Sequence, residues 1–269
     1  MRHRRFWVST LSIVVAFMIC AITACAPSDN SSRGLEFQYN GVDGYIVTGL
    51  GIFTDNDLII PSEHNGLPVK TIGKEAFSGS YIFSLELPDS VTTIDDFAFS
   101  GCYYLGALKL SSSIKTIGNG AFNGCKTLKT LDIPTGVNAV GRDAFKFCVS
   151  LESVIIGDGL TRIVDSMFLG CYKLSSVSIP DSVTSIGDQA FEDCRQLESI
   201  LIPGSVAVIG WGAFFYCENL KEIIFSGTQE QWNAIEKGEF WDGNGIDYNG
   251  IVYHHSYTLR FTDGEIYIP

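Results

Sequence analysis

The fold class the sequence predicts is a β-rich solenoid of seven 23-residue units, with short parallel strands and a β-hairpin cap at each end. Three observations predict it. Cys102, Cys125, Cys148, Cys171, Cys194 and Cys217 recur at intervals of 23 residues. Each follows by three residues a phenylalanine of the series Phe99, Phe122, Phe145, Phe168, Phe191 and Phe214, which Phe77 opens one residue short of that spacing. Apolar residues also recur at positions one, four and six of each unit, as in Leu128, Leu131 and Ile133 or Leu220, Ile223 and Phe225. Self-similarity at such a period marks stacked coils, in which each unit covers its neighbour and none is stable alone.

Positions four and six alternate as a half-buried strand requires. A proline or small residue follows them (Pro88, Ser111, Pro134, Gly157, Pro180, Pro203, Ser226), and proline ends a ladder because it has no N–H to donate. A second apolar pair, such as Val137/Val140 or Val206/Ile209, supplies a return strand that a glycine usually closes. Ala-Phe then crosses back, with alanine small enough for close approach and phenylalanine filling the interior. Parallel stacking places equivalent side chains about 4.8 Å apart, so that each residue type becomes a ladder. One unit departs from the pattern, with Val164 in the glycine slot and Met167 in the alanine slot, and a local bend or altered turn is expected there.

Terminal coils expose their apolar ladders unless covered. At the front, Phe37–Tyr39 and Tyr45–Thr48 flank a glycine-rich turn and read as a hairpin. At the back, Gln229 to Lys237 is a short amphipathic helix candidate with Trp232 and Ile235 on one face. Tyr253 to Phe261 and Glu265 to Ile268, separated by Thr262-Asp263-Gly264, read as a closing hairpin. The expected organisation is a signal peptide at 1–24, a tether at 25–35, an amino-terminal cap at 36–57, the solenoid at 58–226 and a carboxy-terminal cap at 227–269.

The pattern L-x-x-[ILV]-x-[IL]-P-x-x-V-x-x-I-G-x-x-A-F-x-x-C resembles the BspA-like leucine-rich repeat family, in seven copies over roughly residues 58 to 226. The Thr228, Gln231-Trp232 start and the Tyr257-Thr258, Thr262-Asp263-Gly264 tail are similar to carboxy-terminal ends common in that family. The resemblance implies a leucine-rich repeat solenoid and a bacterial surface protein implicated in adhesion. Function does not follow from fold, so the ligand stays open.

The amino terminus carries Arg2, Arg4 and Arg5, an apolar stretch from Phe6 to about Ile19, and small residues before Cys25, as an export signal does. Ile22-Thr23-Ala24-Cys25 is similar to a bacterial lipobox, which implies lipidation of Cys25 and anchoring to the cell envelope with surface exposure. More than one acyl chain matters, because a single chain anchors only marginally. Removing residues 1–24 takes away those three arginines and no acid, moving the net charge from -12 to -15. Such an acidic chain without a basic run is unsuited to nucleic acid or anionic lipid.

Six periodic cysteines in an exported protein invite a disulfide reading. Because all six occupy one structural position, they are more economically read as small buried residues with free thiols, as Ser80 in the same slot of the first unit suggests. Bridges between neighbouring rungs stay open on distance. His254 and His255 would point to opposite faces of a strand and so cannot easily ligate one metal. Asp242 to Asp247 lacks the spacing and terminal glutamate of an EF-hand. No G-x-S-x-G, H-E-x-x-H or phosphate-binding loop occurs, so no catalytic residue, metal site or cofactor is expected.

What remains is the outer face of the main sheet. Position five reads Glu86, Lys109, Asp132, Ile155, Ser178, Leu201 and Ile224, and its three apolar members Ile155, Leu201 and Ile224 form the candidate binding patch. Tyr103, Tyr104, Tyr172, Phe215 and Tyr216 make a candidate aromatic edge. The expected function is a lipid-anchored, monomeric surface protein that binds an extracellular protein or glycan through this face. A structural scaffold or accessory subunit of an envelope or nutrient-capture assembly is the alternative.

Overall fold

Every unit begins with a strand because its fourth and sixth side chains find an apolar interior while the third and fifth face water. Thr130–Ile133 and Ser199–Ile202 both alternate exposed and buried in this way. The structure, a computed structural model, describes residues 34–51, 56–246, 252–253 and 256–269. About eight coils stack, with little helix. Leu131 pairs with Val154 and Val154 with Val177, so the parallel register equals the 23-residue period.

The first-position strands form three sheet segments rather than one continuous sheet. Asp57–Ile59, Ser84–Glu86 and Ala107–Lys109 make the first, and Thr130–Ile133, Ser153–Ile156 and Ser176–Ser178 the second. Ser199–Ile202 and Glu222–Phe225 make the third, which the closing hairpin extends. Return strands run alongside, from Leu67–Ile72 to Ala139–Val140 and again from Arg162–Ile163 to Glu236–Lys237. Between these two runs the return ladder is interrupted, in the unit that carries Val164 and Met167.

The interruption has a steric cause. In neighbouring coils the slot of Val164 holds glycine, and a Cβ added at Gly141 would lie 2.3 Å from the Asn119 nitrogen. At Gly187 it would lie 2.7 Å from the Asp165 nitrogen, so backbones there approach too closely for a side chain. Asp95 occupies the same slot and keeps its bond to Ile72 (2.9 Å), so one Cβ is tolerated. The β-branched Val164, paired with the bulky Met167, is not. The Arg142–Asp165 ion pair spans the gap at 3.0 Å.

A third ladder holds the stack together where the sheets break. The Phe99 N–H donates to Ala121 O, Phe122 to Ala144 O, Phe145 to Met167 O and Phe168 to Ala190 O, at 2.8 to 3.1 Å. Its turns place Phe97, Asp143 and Ser166 at φ of 56°, 57° and 53°, a region that L-residues enter only when neighbours hold them there. Asx side chains add a ladder of their own: Asp96 Oδ1 accepts from the Asn119 N–H (2.7 Å) and Asp188 Oδ1 from the Trp211 N–H (2.8 Å).

Phe77, Phe99, Phe122, Phe145, Phe168, Phe191 and Phe214 are fully buried and stacked face to face. Their centroids are 5.1 Å apart at the first pair and 5.9 Å at Phe145/Phe168, beside the interrupted ladder. These spacings exceed the strand repeat because offset rings tolerate greater separation. All six periodic cysteines are free and buried. Each thiol donates to the phenylalanine carbonyl one coil earlier, as in Cys148 Sγ to Phe122 O (3.3 Å) and Cys217 Sγ to Phe191 O (3.1 Å). Thiol size alone therefore does not account for the slot, because a weak donor meets a waiting acceptor there.

The front cap attaches to the return ladder, and the back cap to both the return and the first-position ladders. Glu36–Tyr39 and Tyr45–Gly49 form the front hairpin, whose second strand pairs in parallel with Leu67–Ile72 of the return sheet. At the back, Tyr257–Phe261 pairs in parallel with Glu222–Phe225 and antiparallel with Gly264–Ile268. The helix ends at Ala234, short of Lys237, because Glu236–Lys237 is taken as a return strand by Val208–Ile209. Thr228 and Gln231 close a capping box at its start, and Trp232 and Ile235 are buried as expected.

Candidate recognition surface

The outer face of the main sheet is built from residues three and five of each strand. Position three is small in the central strands (Ser153, Ser176, Ser199), where larger side chains in the neighbouring column stand clear of it, and is Glu222 beside Ile224. Ile155 is 55% exposed and Leu201 48%, while Ile224 is half-buried. Leu201 and Ile224 are direct register partners; Ile155 lies two coils away, with Ser178 between. Ile224 is followed in register by Arg260 of the cap, whose guanidinium is held by Glu222 and Glu265. Those bonds keep its charge on and set a polar boundary to the column.

Beside Ile155 lies a depression of about 490 Å³ lined by Asp132, Asp158 and Asp181 together with Ser178 and Pro180. The apolar anchor is thus flanked by three carboxylates. At the other end of the face Lys109 is paired with Glu86, which raises the ammonium pKa through that bond. An exposed pair of this kind contributes little to stability.

The remaining sequence candidates separate. Tyr103, Tyr104 and Tyr172 stay exposed at the edge of the cysteine turn, whereas Phe215 is buried beside Tyr216 and Phe240 and serves the cap. His64 stacks on Phe37 at 4.1 Å, and burial lowers its pKa. Asp242 accepts hydrogen bonds from the Asn244 backbone and from the Tyr257 hydroxyl (2.7 Å), so it braces the cap. Cys25, the export signal, His254, His255 and Asp247 lie outside the described residues. Among the described residues no group of three His, Cys, Asp or Glu could hold a metal ion. Burial pushes the Cys102 thiol up to about 11 and Cys148 to about 12, so both are neutral thiols at physiological pH rather than nucleophilic thiolates.

The residues that sequence reasoning overlooked are Phe147, Lys126 and Asn123, on the same edge as Tyr103. Phe147 was legible in principle: it replaces the glycine that Gly101, Gly124 and Gly170 keep at equivalent positions.

The family described as "BspA type Leucine rich repeat region" matches residues 57–175 and 139–248, in six copies. The chain belongs to this family. Among solved structures, a leucine-rich repeat protein of T. pallidum is 24% identical, with a TM-score of 0.52 over 63% of this chain and 90% of its own. A leucine-rich repeat protein from Eubacterium ventriosum is 21% identical, with a TM-score of 0.51 over 89% of this chain and 55% of its own. At such identities the likeness to these leucine-rich repeat proteins shows the fold alone. No curated protein matches the chain.

Proposed function

We propose that this BspA-type protein is exported, anchored through lipid on Cys25, and displays its solenoid to bind an extracellular protein through the outer face of the main sheet. The supporting observation is the column Ile155, Leu201 and Ile224, carried on two adjoining sheet segments that are each fixed internally by ladder bonding. Ile155, flanked by Asp132, Asp158 and Asp181, suits a polypeptide partner that brings an apolar side chain beside lysine or arginine. Because the scaffold is ordered before binding, little ordering entropy is lost on association.

Replacing Ile155, Leu201 and Ile224 together by serine is expected to weaken partner binding by about tenfold or more while leaving the thermal midpoint within a few degrees. Surface plasmon resonance against partners recovered by crosslinking on intact cells measures it. Unchanged affinity rejects the patch, and recovery of envelope components alone favours the scaffold reading. Cys25→Ala is expected to move the protein from the detergent phase to the aqueous phase on detergent partitioning, with loss of fatty-acid labelling. Retention of label rejects the anchor.

A further inference from the structure

A second surface differs in chemistry from the aliphatic face. On the cysteine-turn edge, Tyr103, Phe147 and Tyr172 border a groove of about 520 Å³. Gly101 and Gly124 lie at its floor at φ of 72° and 75°, in left-handed turns that glycine adopts without strain. The floor is therefore bare backbone. At the next equivalent position Phe147 accepts the same left-handed geometry (φ 57°), and its ring lies over Gly170, where an added Cβ would come within 2.4 Å of it. Tyr103, Phe147 and Tyr172 are 51%, 39% and 38% exposed, so each offers ring surface to solvent.

Polar side chains at this groove lack hydrogen-bond and ion-pair partners among the described residues, and Lys126 is engaged through a ring face instead. The Ser100 hydroxyl and the Asn123 amide line it, and neither side chain has a hydrogen-bond partner among the described residues. The Lys126 ammonium sits 4.5 Å from the Tyr103 ring centroid and makes no ion pair among the described residues. Arg195, over Tyr172 at 5.0 Å, is by contrast held by Asp193. Flat ring faces bounded by an amide, a hydroxyl and an ammonium match a ligand with C–H surfaces on its faces and oxygens around its rim. That is the chemistry of a pyranose ring. Tyr103 and Tyr172 hold equivalent positions three coils apart, and the phenylalanine ladder inside those coils is spaced at 5.2, 5.4 and 5.9 Å. A ligand that touches both rings spans several sugar residues.

We propose that this groove binds a linear oligosaccharide, with Tyr103 and Tyr172 as stacking platforms and Lys126 and Asn123 donating to its oxygens. The site is separate from the outer face and stands whether or not that face binds protein. Calorimetric titration of the full-length protein with linear hexasaccharides, one neutral and β-linked and one bearing uronates, tests it. Binding of either is expected, with Tyr103→Ala and Tyr172→Ala each weakening it about tenfold, the equivalent of one lost stacking contact. Tyr103→Phe, which keeps the ring, and Tyr81→Ala, which lies outside the groove, should bind as the parent does. Lys126→Gln should weaken the uronate probe more than the neutral one if both bind. No binding of either hexasaccharide, or binding indifferent to both tyrosine-to-alanine changes, overturns the proposal.

Discussion

Replacing Phe145 by alanine is expected to destabilise the protein by about 3–5 kcal/mol, as for other buried phenylalanines, and to split its unfolding into two transitions. The ring is fully buried and stacked between Phe122 at 5.4 Å and Phe168 at 5.9 Å. In a solenoid, stability is close to a sum over neighbouring interfaces, so one deletion in the middle weakens two of them at once. Here one of the two is already the loosest, because the return sheet is interrupted between Ala139–Val140 and Arg162–Ile163. Phe77→Ala removes a ring with one stacked neighbour in the series, Phe99, and should cost less. Three of the four tryptophans, Trp211, Trp232 and Trp241, lie in the carboxy-terminal coils and cap, and the fourth, Trp7, falls in the expected signal peptide. Tryptophan fluorescence of the processed protein therefore reports that half while circular dichroism reports the whole. In Phe145→Ala the two denaturation curves should separate, with a midpoint about 10 °C lower for a chain of this size. Coincident curves would show that the Phe145/Phe168 contact is not the weak joint.

The coil repeat was legible because stacking converts a linear period directly into a parallel register. Leu131, Val154 and Val177 pair as the 23-residue spacing requires, and the cysteines fall inside as a single-position series must. The disturbance at Val164 was also readable, since a side chain in a glycine slot is a local conflict that period alone reveals. Three things were less visible. The Ala-Phe crossing segment showed in the phenylalanine series, but nothing in its residue types shows that its backbone carries the longest-running intercoil hydrogen bonds. The helix boundary at Ala234 was missed because Glu236 and Lys237 look like helix residues, and only their pairing with Val208 and Ile209 makes them a strand. The edge groove was half seen: its tyrosines stand out by type, but Phe147, Asn123 and Lys126 come from different places in the repeat and meet only once successive coils are stacked.

Raising the pH above 9 should unfold the protein over a narrow range, because six thiols must stay neutral inside it. Burial raises the pKa of every one of the six from 9.0, with Cys102 reaching about 11 and Cys148 about 12. The sign follows from proton counts. Once the pH passes the ordinary thiol value, the unfolded chain releases protons that the folded chain still holds, so stability falls as pH rises and stops falling only above the folded values. Well below pH 9 both states are protonated and this contribution is constant. One pH unit above the unfolded pKa each thiol costs about 1.4 kcal/mol, and six together about 8 kcal/mol, comparable to the whole stability of a typical domain. Tyr257, whose hydroxyl is buried and donates to Asp242, steepens the loss above pH 10. A variant with all six cysteines replaced by serine separates the thiols from other alkaline effects, since serine stays neutral and Ser80 holds the corresponding, half-buried position in the first coil. Each hydroxyl can still donate toward the phenylalanine carbonyl that the thiol used. Its midpoint of alkaline unfolding, followed by circular dichroism, should lie well above that of the parent, even if its stability at pH 7 is lower. Equal alkaline midpoints would mean that the thiols are not sealed within the ladder.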